Sequence, residues 1–291
     1  MKSLYHAGMD LLERIRLGVI AVLLALGGFL LIAPSQATSP YFQIHFLDVG
    51  QGDAVLLQTP DGFEVLIDGG ATSAVLPQLA GKQSWQDRAL DIMIATHPDT
   101  DHVGGLNDVL ARYEVDLIIQ TEADSDSPAA VAFATAAKAE GATLQYARAG
   151  QLIKLGASTT IEVLAPASNT SAWGSNTASV VVRVVYGDTA FMLTGDAPAS
   201  VEEYLAETYG QQLQSDVLKL GHHGSKTSTS ELFLDTVRPT YAVVSASIDN
   251  SYGHPDQSVM QRVFAHDIQS FHTGLDGTVS FYSDGATVWQ P

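Results

Sequence analysis

His97-Pro98-Asp99-Thr100-Asp101-His102-Val103-Gly104-Gly105 follows directly on the apolar run Leu90–Thr96. That run has the length and composition of a buried strand. Four side chains able to ligate a metal, His97, Asp99, Asp101 and His102, then fall within six residues. Capping the next helix needs one carboxylate, which leaves the other three without a structural task. Their alternating spacing lets a bent loop converge on a point, and neutral imidazole with carboxylate suits Zn²⁺, Mn²⁺ or Fe²⁺.

Two other strand ends supply partners. Asp196 follows Ala190–Leu193 and Thr194-Gly195, and His222-His223 follows Asp216–Leu220, held between Gly221 and Gly224. Asp196 alone would be ordinary turn chemistry before Pro198. Adjacent imidazoles between two glycines are poor packing groups. Ligands gather where the strands of an α/β sheet end, and that rule joins the three segments into one site.

The rest of the chain reads as mixed α/β. Phe42–Asp48, Asp53–Gln58 and Phe63–Asp68 are strands, the last two joined through the turn Pro60-Asp61-Gly62. Strands are also expected at Val115–Gln120, Gln151–Leu155, Thr160–Leu164, Ser179–Tyr186, Ala190–Thr194 and Thr240–Ser245, with a closing pair at Gly277–Tyr282 and Ala286–Trp289. Helices are expected at Val103–Tyr113, Pro128–Glu140, Pro198–Tyr209 with Pro198 near its first turn, Ser230–Val237 and Asp256–Ala265. Hairpins and βα units without a break in composition predict two sheets packed together with helices outside.

The N-terminus has the form of a targeting segment. Leu17–Ala33 holds only Gly and apolar residues, with Lys2, Arg14 and Arg16 before it and Ser35 and Ala37 after it. It serves as a signal peptide ending at Ala37 or as a retained membrane anchor. Basic residues before the run place residues 38–291, the second and larger domain, outside the cytoplasm.

The chain of 291 residues has no Cys, which excludes a disulfide scaffold and a thiolate metal site. It carries 14 Lys+Arg against 32 Asp+Glu, so diffuse attraction to nucleic acid or anionic lipid is excluded as a source of affinity. A phosphate-bearing substrate would need a local cation.

The His97–His102 segment, Leu193-Thr194-Gly195-Asp196 and His222-His223-Gly224-Ser225 together resemble the metallo-β-lactamase fold superfamily. Within it, Phe46-Leu47-Asp48-Val49-Gly50-Gln51-Gly52-Asp53-Ala54, Leu66-Ile67-Asp68-Gly69-Gly70, Tyr252-Gly253-His254-Pro255 and Thr273–Gly277 are similar to the soluble C-terminal domain of the ComEC DNA-internalisation (competence) proteins, over about residues 42–289. The ComEC channel region has no counterpart in this sequence. The resemblance implies a four-layer αββα sandwich of two mixed sheets and one or two divalent ions, Mn²⁺ or Zn²⁺. His97, Asp99 and Asp196 would hold the first ion, and Asp101, His102, His223 and shared Asp196 the second. Asp99 stands where the superfamily has His, and Asn176 and Ser179 lie where a further His ligand is usual. Oxygen-richer ligation favours Mn²⁺ at the first position. Asp68 would orient a liganding imidazole. Asp48 and Asp53 are expected to shape a turn or support the ligands.

The implied activity is that of an exported metal-dependent phosphodiesterase or nuclease, in which an activated water near Asp101 attacks phosphorus. His222, Lys226 and His254 would contact phosphate oxygens or protonate the leaving oxygen. The expected partner is a phosphodiester, including single-stranded DNA, with no dinucleotide cofactor. Alternatives are a small-ester hydrolase such as a phosphorylcholine esterase, a β-lactamase-like enzyme, or a non-catalytic module binding nucleic acid or an envelope partner. His45, His266 and His272 are read as ordinary core or surface residues.

Overall fold

Alternation of side chains along the strands builds the layers. In β1 (Phe42–Phe46), Phe42, Ile44 and Phe46 are fully buried on one face. β2 (Val55–Gln58) and β3 (Glu64–Ile67) add Val55, Leu57, Val65 and Ile67 to that core, while Leu56 and Leu66 face the other way into a second core. With β4 (Ala89–Ala95), β5 (Glu114–Gln120) and β6 (Thr143–Tyr146) they belong to the first sheet. The second sheet contains β7 (Leu152–Leu155), β8 (Thr159–Ala165), β9 (Val181–Tyr186), β10 (Thr189–Leu193), β11 (Val217–Lys219), β12 (Tyr241–Val244) and β13 (Gln269–His272). The chain then returns to the first sheet through β14 (Val279–Ser283) and β15 (Val288–Trp289).

The eight-stranded sheet has the order β15-β14-β1-β2-β3-β4-β5-β6, and the seven-stranded sheet β13-β12-β11-β10-β9-β8-β7. Phe191, Leu193, Val217 and Val243 of the second sheet meet Phe42, Phe46 and Ile94 of the first in a shared core. Helices close the outer faces. α1 (Val75–Ala80), α2 (Thr100–Val103), α3 (Leu106–Leu110) and α4 (Pro128–Ala139) pack on Leu66, Met93 and Ile118 of the first sheet. α5 (Ala199–Tyr209), α6 (Glu231–Val237) and α7 (Gln257–Ala265) cover Met192, Leu218 and Ala242 of the second, and α8 (Thr273–Asp276) follows β13. This is the four-layer αββα sandwich the resemblance implies.

The computed structural model describes residues 39–84 and 87–291. Thr38–Pro291 forms one compact unit. The apolar run Leu17–Ala33 and the Ser35 to Ala37 step lie outside the described residues. Among the described residues no helix is long and apolar enough to cross a membrane.

Several expectations are corrected. The helix expected over Val103–Tyr113 is broken into α2 and α3, because the chain is pinned at Gly104-Gly105 to the loop after β3. Gly69 N–H donates to His102 O (2.8 Å) and Gly105 N–H to Gly70 O (2.9 Å). A Cβ on Gly105 would sit 2.0 Å from Gly69 O, so only glycine allows the approach. The helix expected from Pro198 begins one residue later, at Ala199, with Pro198 as its extended N-cap beside the first turn. β6 and β13 were not expected. Each is a short edge strand, β6 exposed throughout and β13 burying only part of Phe271, so neither leaves a periodic signature.

Candidate metal centre

Parallel pairing sends several strand ends to one edge of the sandwich. β3 and β4 are parallel neighbours in the first sheet, as are β10, β11 and β12 in the second. Asp68 follows β3, the His97–His102 loop follows β4, Asp196 follows β10, His222 and His223 follow β11, and Ser245 follows β12. The loop between β1 and β2 reaches the same edge. Asp53 N–H donates to Asp101 O (3.2 Å), and a Cβ on Gly52 would lie 2.0 Å from that oxygen. Gly52, at φ +121°, therefore permits both the turn and the contact.

Each of three imidazoles has one nitrogen engaged by the protein. His102 Nδ1 lies 2.8 Å from Asp68 Oδ2, His223 Nδ1 2.8 Å from Ser245 O, and His97 Nδ1 3.0 Å from Thr96 Oγ1. The Nε2 atoms of all three are buried without a hydrogen-bond partner, as is Asp196 Oδ1. They converge. Asp196 lies 3.4 Å from His102 Nε2, 3.4 Å from His223 Nε2, 3.6 Å from His222 Nε2 and 3.9 Å from His97 Nε2. Asp101 is 3.3 Å from His223 Nε2, and Asp99 is 3.6 Å from His97 Nε2. Two ligands each ~2.1 Å from one tetrahedral ion lie about 3.4 Å apart. The donor set and the orphaned nitrogens therefore fit a divalent cation. Asp53, His102, Asp196 and His223 each offer one atom within 4.8 Å of the others.

The site holds its backbone under strain. Asp68, His222 and His223 all have positive φ, at 58°, 51° and 56°. Such residues cost roughly 1–3 kcal/mol each and persist only where surrounding contacts over-determine them. His222 N–H donates to Gly195 O, and Ser225 N–H to His222 O, which ties the imidazole pair to the Asp196 turn.

Charge is finely matched. Burial alone would lower His102, but the Asp196 and Asp68 carboxylates override it and hold it well above the usual value. His223 is raised in the same way against its burial, chiefly by Asp196. Burial would raise Asp101, yet the bond to His223 and the charges of His102 and His223 hold it well below the carboxylate range. His97 goes the other way. Burial, helped by His102, pushes it down to about 3. Burial raises Asp68 and Asp99 and lowers His222. A divalent ion would replace imidazolium charge in balancing these carboxylates.

The structure brings His97, Asp99, Asp101, His102, Asp196 and His223 together. Asp68 lies beneath His102, and Ser179 Oγ accepts from Asp196 N–H (3.2 Å) and lies 3.5 Å from His97 Nδ1. Asn176 Nδ2 is 3.4 Å from His222 Nδ1. His254 stands at the mouth, its ring centroid 5.4 Å from that of His222. Lys226, three residues after His223, is exposed. Sequence reasoning missed Lys219, whose ammonium lies 2.5 Å from Asp53 Oδ2 and 3.6 Å from Asp196 Oδ1. The available signal was a lone Lys in the apolar run Val217-Leu218-Lys219-Leu220 just before the His pair. Beside His97 and Pro98 lies a cavity of about 340 Å³ that runs past Gln120 to the half-exposed Tyr146. A neighbouring groove is lined by Asp99, Trp173 and Ser175.

Comparison with known proteins agrees with this geometry. Residues 47–247 match the model of the Metallo-beta-lactamase superfamily. The chain is 34% identical over 265 residues to "Competence protein ComA" of Neisseria gonorrhoeae, covering 90% of this chain and 35% of that protein. It is 29% identical over 259 residues to "ComE operon protein 3" of Bacillus subtilis, covering 82% and 33%. The chain thus spans about a third of the length of these relatives. Among solved structures it is similar in fold to the metallo-beta-lactamase fold protein YhfI of Bacillus subtilis, with a TM-score of 0.54 and 13% identity, covering 86% of this chain and 100% of that one.

Proposed function

Because the chain belongs to the metallo-beta-lactamase superfamily, we propose that it is a metal-dependent phosphodiester hydrolase of nuclease type, exported through its N-terminal segment. One observation carries the hydrolytic reading: three buried, unpartnered imidazole Nε2 atoms face a single carboxylate, Asp196. The likeness to a competence protein and to the ComEC domain supports nucleic acid as the phosphodiester. The acidity of the chain favours a short or single-stranded substrate held locally over a long duplex on a basic track.

Divalent ions bound by His97, Asp99 and Asp196, and by Asp101, His102, His223 and Asp196, would lower the pKa of a water and offset charge on the phosphoryl group. The protein's own residues prepare that chemistry. Asp68 and Ser245 O fix the ring orientation and tautomer of His102 and His223, so that each presents Nε2. Thr96 and Ser179 do the same for His97. His222, its side chain 26% exposed and its pKa lowered by burial, sits at the rim 3.6 Å from Asp196. There it can contact a phosphate oxygen or pass a proton to the leaving oxygen, with His254 beside it. Lys226, exposed on the same loop, is assigned to the outer reach of the substrate.

The test is a screen of the full chain with Mn²⁺ and Zn²⁺ against single-stranded DNA, bis-p-nitrophenyl phosphate and a chromogenic cephalosporin. Hydrolysis of the two phosphodiesters, abolished by Asp101→Ala with the fold retained, is expected. Turnover of the cephalosporin alone, or an Asp101→Ala protein with wild-type rates, would refute the reading. Export is tested separately by fusing residues 1–40 to a reporter active only outside the cytoplasm. A silent reporter would exclude it.

A further inference from the structure

Lys219 is the last residue of β11, and strand alternation puts it on the face of Val217, turned towards the opposite sheet. An apolar residue is the rule there. Lys219 is instead a cation only 1% exposed, among the largest fully buried side chains. Its Nζ donates to Gly195 O (3.0 Å), lies 2.5 Å from Asp53 Oδ2 and 3.6 Å from Asp196 Oδ1. Asp53 in turn touches the undersides of two imidazoles, 3.3 Å from His223 Nδ1 and 3.9 Å from His102 Nδ1. A buried cation is tolerated only when paired and hydrogen-bonded, and these contacts pair it fully. Paired with the Asp53 carboxylate and donating to a backbone carbonyl, the group is an ammonium.

We propose that Lys219 is a positioning residue that acts as a built-in cation of the metal centre. It locks Asp53 as a support beneath His102 and His223 instead of a ligand, and it sets how much positive charge the site must take from divalent ions. The inference rests on the metal-binding reading above. Five carboxylates, those of Asp53, Asp68, Asp99, Asp101 and Asp196, surround the cluster. Two divalent ions with one ammonium balance them. Without the ammonium the site is one charge too negative, and without Asp53 it is one charge too positive.

A lysine with a purely structural role and one that tunes charge give different signs. Lys219→Met should lower the melting temperature of the metal-stripped full chain by several degrees, because it leaves the buried Asp53 carboxylate without its cation. The same variant should bind Mn²⁺ and Zn²⁺ about 10-fold more tightly, since the ion now supplies that charge. Asp53→Asn should bind both ions about 10-fold more weakly, because the ammonium then repels them unopposed. The double variant Lys219→Met with Asp53→Asn should return affinity close to that of the parent. Isothermal titration calorimetry of stripped proteins with each metal alone reads all of this without activity. Should Lys219→Met not fold, Asp53→Asn and the double variant carry the same test. Single variants that weaken binding together, or leave it unchanged, would overturn the assignment. A stripped parent that binds neither ion would overturn the metal reading and this inference with it.

Discussion

The two flanks of the candidate centre are built to different standards. On one side His102, His223 and Asp196 are fully buried, and both imidazoles are clamped from behind by a carboxylate or a carbonyl. On the other, His97 is buried but Asp99 has a 40% exposed side chain, is steadied by the Ser175 hydroxyl, and borders an open groove. The difference teaches that a divalent ion would meet a preorganised, buried flank on one side and a more open, solvent-facing flank on the other. Preorganisation lowers the reorganisation that binding requires, and Asp196 is the carboxylate that faces both flanks.

Asp196→Asn should break both flanks at once, since Asp196 faces every imidazole of the cluster. Metal-dependent hydrolysis of bis-p-nitrophenyl phosphate should fall at least ~100-fold. Retained activity would remove Asp196 as the shared ligand. Asp68→Asn strikes only the buried flank by loosening His102 Nδ1. Metal affinity there should weaken about 10- to 100-fold, and calorimetry should show it even when turnover is measured at saturating metal.

Asp99→His tests the open flank alone. It adds an imidazole beside His97 and should move preference from Mn²⁺ towards Zn²⁺, with little change in apo melting temperature. Rates across a metal series, compared with the parent, would show whether the preference moves.

The smallest effect separates the stability of the scaffold from that of the centre. His45 lies on the first sheet away from the cluster, 2.8 Å from Ser280 Oγ and 3.3 Å from Gln58 Oε1. Burial, helped by Lys82, lowers its pKa to about 3, against the opposing bond to Gln58. The unfolded chain therefore takes up a proton near pH 6.5 that the folded protein refuses until near pH 3. The stability His45 contributes is present above the unfolded pKa and is lost as pH falls, by at most ~1.4 kcal/mol per pH unit in that window. His45→Gln should flatten this part of the pH–stability curve in denaturant melts without altering metal affinity. A curve identical in slope to the parent would show that His45 does not titrate as its burial implies.

Local sequence was enough to mark out strands, their ends and most of the cluster. Buried strands need uninterrupted apolar residues, so chemistry-bearing side chains stand out where a strand stops, as at Thr96 to His97, Gly195 to Asp196 and Gly221 to His222. Asp68 also stands at a strand end, but its role beneath an imidazole came from the family resemblance. Long-range packing decided the rest. Lys219 and Asp53 come from different sheets, and no local pattern says that a lone lysine in an apolar strand will meet a carboxylate from the β1–β2 turn. The break between α2 and α3 arises because Gly105 meets the backbone of Gly69, a contact made only once β3 and β4 pair. Strands β6 and β13 bury too little apolar surface to announce themselves, and they form because a neighbouring strand offers its hydrogen bonds.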